Sequence, residues 1–269
     1  MKKWVMIDKE VGQTPLQAIE LYKKWYPGYK DAKMAYAGRL DPMASGKLLV
    51  LIGEECKSQE AYHALDKTYE VEVLLGDQSD SGDVLGLIDG CDTPKLSRNQ
   101  VIKTIKNLRG TFSSPYPKFS SKTVAGKPLF QWTLENKLNE ITIPIQDGYI
   151  YHIRIDKVSE ISGKDIVEEA RRKIRSLPTV TEKSKALGAD FRRKDVEATW
   201  DEFLEINSER EFTLIKITCT CSSGTYMRSL AETIGIKLGT CALAYSIHRT
   251  HIGRQFWLPF GFSFWRKKF

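Results

Sequence analysis

Apolar residues recur along this chain with two periods, and the changes of period divide it into elements. Trp4 to Ile7 predicts a short strand. Gly12 then turns the chain into Thr14-Pro15-Leu16, a hydroxyl N-cap with proline at the first helical position. Leu16, Ile19 and Leu21 with Tyr22 give that helix an apolar face, which ends at Pro27-Gly28. Leu48 to Ile52 is short and uniformly apolar, the pattern of a buried strand, and Glu54 to Leu65 predicts a short helix. Lys67 to Leu75 alternates, so that Tyr69, Val71, Val73 and Leu75 share one face of a strand. Ser97 can cap a helix carrying Val101, Ile105 and Leu108, stopped by Gly110. Alternation returns over Tyr149 to Ile155, Asp195 to Ile206 predicts a helix with Trp200 and Phe203, and Glu211 to Cys221 is a β-branched strand. A turn at Ser222 to Thr225 opens a helix whose face is Met227, Leu230, Ala231 and Ile234, closed at Gly235. Ala242 to Phe256 predicts a short helix followed by a strand. Strands and helices interleave with no repeat and no linker, which implies an α+β fold in a single domain over residues 1–269.

Four stretches do not read as plain core. The first runs from Met34 to Lys47 and reads as a loop feeding the Leu48 strand: Gly38 and Gly46 permit left-handed backbone, and Pro42 removes a donor just after Asp41. Asp41 fits a turn residue capping its own loop as well as a carboxylate fixed for chemistry. The second, Gly76 to Gly86, superficially resembles a calcium loop but lacks the closing Glu, and reads as a structural turn. The third, Thr111 to Gln131 within a loop region of about 111–148, is polar and basic and carries Tyr116, Lys118, Phe119, Lys122 and Lys127. Such a loop can lie along a phosphate backbone and stack on bases, or be a mobile solvated loop. The fourth, Lys164 to Lys194, holds ten Lys/Arg against five Asp/Glu, with Ile166, Ala170, Ile174 and Leu177 on one helical face before Pro178. It reads as an insertion over about 162–200, a basic arm in preference to a solvated helix pair. Finally, the turn at Ser222 to Thr225 before a helix is a natural anion site, because the first helical N–H groups are unpaired, and Arg228 lies one turn in.

Composition narrows the classes. The 269 residues are 41% hydrophobic and 28% charged, enough apolar content for a sizeable core, and a net charge of +7 favours a polyanionic partner without requiring one. The five cysteines are scattered and lack a C-x-x-C pair, so neither a disulfide framework nor a zinc knuckle is implied, and a reducing, cytoplasmic compartment fits best. His248 and His251 lack the Glu of a zincin helix, and no metal is expected. No stretch has a membrane-spanning length or the shape of a signal peptide.

Three separated segments resemble one family, the TruB-type tRNA pseudouridine synthases. The Asp41 loop, Ala35-Tyr36-Ala37-Gly38-Arg39-Leu40-Asp41-Pro42-Met43-Ala44-Ser45-Gly46, is similar to that family's G-H-x-G-x-L-D-P-x-A-x-G. Lys67-Thr68-Tyr69, Leu75-Gly76, Ser79 to Asp83 and Gly86 resemble its K-x-Y and L-G-x-x-T-D-T-x-D-x-x-G. Ser223 to Ala231 resembles its G-T-Y-I-R-S-L-A, and Leu238-Gly239, Ala242, Arg249-Thr250 and Gly253 keep its spacing, as do Lys9, Gly12 and Thr14. Each motif alone is weak, and their common order from about residue 4 to 256 is specific. The chain departs from the family at Tyr36, where a histidine is usual, at Tyr116-Pro117 in place of two prolines, and at Ile247-His248-Arg249 in place of Leu-Arg-Arg. The R-L-D and S-G of the Asp41 loop also echo the ribosomal-RNA-type synthases, which lack the G-T-Y-x-R segment.

The resemblance implies a pseudouridine synthase fold: a mixed, mostly antiparallel sheet flanked by helices, with a central catalytic cleft. Too little of the chain follows the matched segments for the PUA domain that many members append, and none is expected. It implies an isomerase that acts on the T-loop uridine of tRNA without a cofactor, as a monomer needing no protein partner and no membrane. Asp41 would be the catalytic carboxylate, Arg228 its partner, and Tyr69 the ring packing on the flipped uracil and assisting with the proton. Tyr36, Arg39, Tyr226, Ile247, Lys122 and Lys127 would contact the RNA. Two alternatives stay open: the same chemistry on a stem-loop of ribosomal or messenger RNA, and a non-catalytic RNA-binding or tRNA-folding module.

Overall fold

The computed structural model describes residues 2–92, 94, 96–179, 190–257 and 263–266; the middle of the basic insertion, 180–189, lies outside them. In chain order the elements are β1 (Trp4–Lys9), α1 (Pro15–Trp25), β2 (Met34–Ala37), β3 (Ser45–Ile52), α2 (Gln59–His63), β4 (Asp66–Leu75), β5 (Asp77–Ser79), β6 (Ile88–Gly90) and α3 (Arg98–Lys106). They continue with β7 (Gly110–Pro115), β8 (Thr123–Val124), β9 (Lys127–Pro128), α4 (Leu129–Leu134), β10 (Ile145–Ser162), α5 (Gly163–Ser176) and α6 (Arg193–Asn207). The last are β11 (Glu211–Cys221), α7 (Met227–Leu238), β12 (Ala242–Trp257) and β13 (Ser263–Arg266).

The local signals act as the sequence implies. Thr14 and Ser97 each close a capping box, with Gln17 and Gln100 as the reciprocal partners, so α1 and α3 begin where the hydroxyls stand. One sheet runs in the order β1-β3-β12-β4-β11-β10-β7, with β2 beside β3 and β13 beside β12. Its pairings are antiparallel except between β3 and β12, which meet in parallel at Ser45 with His248 and Gly46 with Arg249. That short parallel contact matters, because it sets the exit of the Asp41 loop against β12. Val71 and Val73 of β4, Ile215 and Ile217 of β11 and Leu243 of β12 are fully buried at the sheet centre, where α7 packs through Leu230, Ala231 and Ile234. The architecture is the mixed, largely antiparallel α+β sheet expected.

Four boundaries differ from the sequence reading. β10 spans 18 residues, because its outer positions are exposed and two register shifts break the alternation. Ala242 to Trp257 is a single strand with no leading helix: its first residues are buried on both faces, so an apolar run that could serve either element is taken by the sheet. The helix after Ser222 continues through Gly235 to Leu238, and Gly239 supplies the left-handed cap with φ of 76°. Gly235 is instead a contact glycine, since a Cβ there would lie 2.5 Å from the backbone nitrogen of Ala242. The polar stretch from Thr111 begins as β7 and then folds into the β8–β9 hairpin and α4.

The cysteine reading also needs correction. Cys91 and Cys241 form a disulfide, their Cα atoms 6.2 Å apart, while Cys56, Cys219 and Cys221 are buried thiols. The pairing spans 150 residues and could not be read from spacing; it arises because the end of the β5–β6 hairpin reaches the start of β12. No described helix is long and apolar enough to cross a membrane.

At the root of that hairpin Asp77 is 2% exposed, one carboxylate oxygen has no hydrogen-bond partner, and burial pushes its pKa from 3.8 to about 7. A carboxyl with a raised folded-state pKa costs stability as pH climbs from its unfolded value to its folded one. Asp77→Asn is therefore expected to match the parent near pH 4 and to exceed it by about 2–4 kcal/mol at pH 8, as urea titrations at the two pH values would measure.

Candidate active site

The Asp41 loop is held from below and at both ends. Leu40, Met43 and Ala44 are 3%, 1% and 2% exposed, so the residues flanking Asp41 and Pro42 are sunk in the core. The Gly12 amide donates to Pro42 O at 2.8 Å, and the Ala44 amide closes a turn onto Asp41 O at 3.0 Å. Arg249, itself 1% exposed, clasps the loop with one guanidinium: Nε donates to Lys47 O at 2.7 Å and Nη2 to Gly38 O at 3.1 Å. Gly46 has φ of 101°, and a Cβ there would sit 2.3 Å from Arg249 O, so only glycine lets β3 approach β12 this closely. The turn reading of Asp41 holds, and the same turn presents a partly exposed carboxylate.

Arg228, in the first turn of α7, meets that carboxylate. Its Nη2 lies 2.9 Å from Asp41 Oδ2, Nη1 donates to Ser81 O at 2.8 Å, and Nη2 also donates to Phe119 O at 3.2 Å. Its Nε lies 3.7 Å from Asp83 Oδ2. Asp83 is buried, accepts from Ser81 Oγ and the Leu85 amide, each at 2.9 Å, and has its pKa pushed up by burial against the opposing Arg228 charge. One buried guanidinium therefore serves two carboxylates: it holds Asp41 in direction as well as charge, and lends Asp83 an opposing charge at 3.7 Å.

Further cations surround the loop. Lys9 is 1% exposed and donates to Glu10 O and Gln13 O; burial lowers its pKa to about 8, with Asp41 acting in the opposite direction. Burial, then the nearby Arg249, lower Lys67 to about 8 as well, and its ammonium donates to His63 O at 2.8 Å. Two phenols complete the floor. Tyr69 packs on the core cluster that contains Leu40, Met43 and Ile247, and burial raises its pKa despite Arg249. Tyr226 is pushed up to about 12 by burial and the neighbouring Tyr116, whose ring meets it edge-on at 5.5 Å. Both hydroxyls therefore stay protonated at neutral pH, which suits surfaces for an aromatic base better than general bases.

Asp41, Tyr69, Arg228, Tyr226 and Ile247 thus converge. Tyr36 stands on β2 before the loop, packs on the cluster formed by β1, β3 and α1, and accepts from the exposed Arg39 through its hydroxyl at 3.2 Å. Lys122 is exposed, 5.0 Å over the Tyr116 ring. Lys127 is engaged by the next helix: it pairs with Glu135 at the end of α4 and sits 4.0 Å over the Trp132 ring. His248 is engaged by Ser45 Oγ at 2.9 Å. Asp83 and Arg249, which the sequence reading quoted within motifs but gave no role, are the two further residues that hold this arrangement. The signal for Asp83 was present in the acidic Ser79 to Asp83 segment, which reads as a turn because nothing local shows that Arg228 folds onto it.

The pattern that defines the TruB family pseudouridylate synthase N-terminal domain matches residues 24–171. A tRNA pseudouridine synthase B from Caldicellulosiruptor saccharolyticus is 26% identical over 249 residues, covering 93% of this chain and 67% of that protein. Its namesake from Pseudoalteromonas translucida is 27% identical over 251 residues, with 93% and 61% covered. That from Chromohalobacter salexigens is 29% identical over 250 residues, with 93% and 63% covered. The chain thus spans about two thirds or less of the length of these relatives. Among solved structures, a chain of a Cbf5-Nop10-Gar1 complex superposes with a TM-score of 0.54 at 17% identity, over 92% of this chain and 48% of the other, a likeness of fold.

Proposed function

Because the chain belongs to the TruB family of pseudouridylate synthases, we propose that it isomerises a uridine of tRNA, the one in the T-loop, to pseudouridine. The observation that carries this reading is the 2.9 Å pair of Asp41 with the buried Arg228, set beside the rings of Tyr69 and Tyr226. The reaction breaks the C1′–N1 bond of uridine, turns the freed uracil and rejoins it to C1′ through C5. Asp41 has the exposure to reach the ribose and the anchoring to stay aimed: it acts at C1′ as nucleophile or takes the C2′ proton. The electron pair of the broken bond passes to the uracil, which Tyr69 and Tyr226 hold while it turns. The C5 proton leaves as the new bond forms, N1 gains a proton, and Asp41 is released unchanged. Atoms and electrons balance within the nucleotide, so the chemistry calls for no cofactor.

The target must first leave its stack, at a cost of roughly a few kcal/mol, which is lower in an RNA loop whose bases are already partly splayed. In this reading Tyr36 and Arg39 meet the RNA at the rim, and Tyr116 and Lys122 grip it from the 111–148 region, the whole acting as one catalytic domain without a protein partner. The test is to incubate the protein with an unmodified tRNA transcript and map carbodiimide-dependent primer-extension stops. A single new stop in the T-loop is expected; no stop on tRNA but stops on total RNA would move the target to another stem-loop and overturn the tRNA assignment.

A further inference from the structure

Among the described cations of the insertion, Arg171, Lys173, Arg192 and Arg193 are turned onto the protein, whereas Lys164, Arg172, Arg175 and Lys194 are exposed. Lys173 of α5 is 3% exposed, donates to Tyr245 O and lies 4.4 Å over the Tyr245 ring. Arg193 donates to Ile174 O at 2.5 Å and to Leu177 O at 3.3 Å, capping α5 with the first residue of α6, and Arg171 pairs with Asp201 across the two helices. α6 is itself seated on the turn that holds Asp83, because Trp200 is fully buried and donates to Val84 O at 3.1 Å.

Arg192 goes further. With φ of 52° and ψ of 31° it is in the left-handed region, rare for a side chain of this size. From there its guanidinium forks onto Asp80, with Nη1 2.5 Å from Oδ2 and Nη2 3.0 Å from Oδ1, and its Cζ lies 4.3 Å over the Phe119 ring. The Arg192 and Asp80 side chains are 15% and 31% exposed, so this bidentate pair is partly shielded from solvent. Phe119 is also the residue whose carbonyl accepts from Arg228. The ring is held by the insertion and the backbone by the catalytic arginine. Asp80 is held in turn by the Leu87 amide at 2.9 Å, within the same turn that supplies Ser81 O and Asp83 to Arg228.

We propose that Arg192 is a positioning residue: at the start of α6 it is a brace that fixes the Phe119 segment of the RNA-gripping loop against Arg228. This rests on the tRNA reading above for its consequence, but not for the contact itself. The brace acts on substrate capture, because it orders a loop that would otherwise be ordered only when RNA binds, and pre-ordering lowers that cost.

Two measurements on the full-length protein separate the parts. By hydrogen exchange, Arg192→Ala and, independently, Phe119→Leu, which removes the ring and leaves the ion pair, should each raise exchange of the amides of residues 118–122 about tenfold while leaving the core strands β4 and β11 protected. By steady-state kinetics on tRNA, each should raise KM about tenfold with kcat changed less than threefold, and the double variant should be no worse than the worse single one. Arg192→Lys, which keeps the charge but not the fork, should recover part of the KM. Unchanged exchange in the loop overturns the brace. Raised exchange with unchanged KM, or a fall in kcat alone that tracks lost folded protein, overturns its role in capture. If the parent turns over no tRNA while the exchange result holds, it is the tRNA reading that has failed.

Discussion

Asp41→Ala is expected to abolish product formation, lowering kcat/KM by at least about 10⁴-fold, while the protein folds and binds tRNA within a few-fold of the parent. The size follows from the role: a covalent or acid–base group whose removal leaves only binding and orientation typically costs this much, equivalent to about 5 kcal/mol of transition-state stabilisation. Retained folding follows from the structure. The Asp41 side chain is 33% exposed, and the loop is held by Arg249, Gly12 and the buried neighbours Leu40 and Met43, none of which uses the carboxylate. Single-turnover kinetics with a tRNA-binding measurement on the same preparation checks both halves. A variant that lost binding in proportion to activity would make Asp41 a structural turn residue after all.

Arg228→Met should be the most damaging substitution to stability and activity together. It keeps the volume but leaves Asp83, buried, and Asp41 without their shared cation, and it orphans the carbonyls of Ser81 and Phe119. Breaking a buried pair from one side costs about 3–5 kcal/mol, because the remaining charge is uncompensated. The sign of the pH dependence distinguishes this from simple cavity formation. Burial already raises the Asp83 pKa against Arg228; without the guanidinium it rises further. A carboxyl with a raised folded pKa retains full stability below its unfolded pKa and loses it as pH rises through the folded one. The deficit of Arg228→Met relative to the parent should therefore be smallest near pH 4, where only the loss at the two carbonyls remains, and widen toward pH 8 in urea titrations. Arg228→Lys should be intermediate, since an ammonium cannot reach all four acceptors of the fork.

How much of this was legible before the fold was known depends on whether the signal was local. The helix starts at Thr14 and Ser97 are local, because a capping hydroxyl and its reciprocal glutamine are three residues apart, and both elements begin there. The order of Asp41, Tyr69 and Arg228 along the chain was readable as a resemblance, and the sheet brings them together. Three things were not local. Gly235 reads as a helix stop and is a helix-to-strand contact, because only the fold places Ala242 against it. The Cys91–Cys241 disulfide spans 150 residues, so spacing carried no information about it. The basic excess of the insertion did not show which of its cations are spent on the protein itself: Lys173, Arg192 and Arg193 are held by carbonyls, carboxylates and rings, while Lys164, Arg172, Arg175 and Lys194 are exposed. Charge in a sequence gives a number of cations and not their direction.

Asp83 is the instructive miss. It stands in a stretch rich in Gly, Ser and Asp, the composition of any tight turn, and it does serve as one: its carboxylate accepts the Leu85 amide. What composition could not give is that the turn is folded over Arg228, so that the same carboxylate that shapes the loop also adds to the charge around Asp41.

The central claim is that Asp41, aimed by Arg228, detaches and reattaches a single uracil in tRNA. The most direct measurement is tritium release from a tRNA transcript labelled at C5 of uridine, since only rejoining through C5 expels that hydrogen. The account predicts release that plateaus at about one equivalent per tRNA with the parent protein and stays at background with Asp41→Ala. No release by the parent, or equal release by the two proteins, would contradict it.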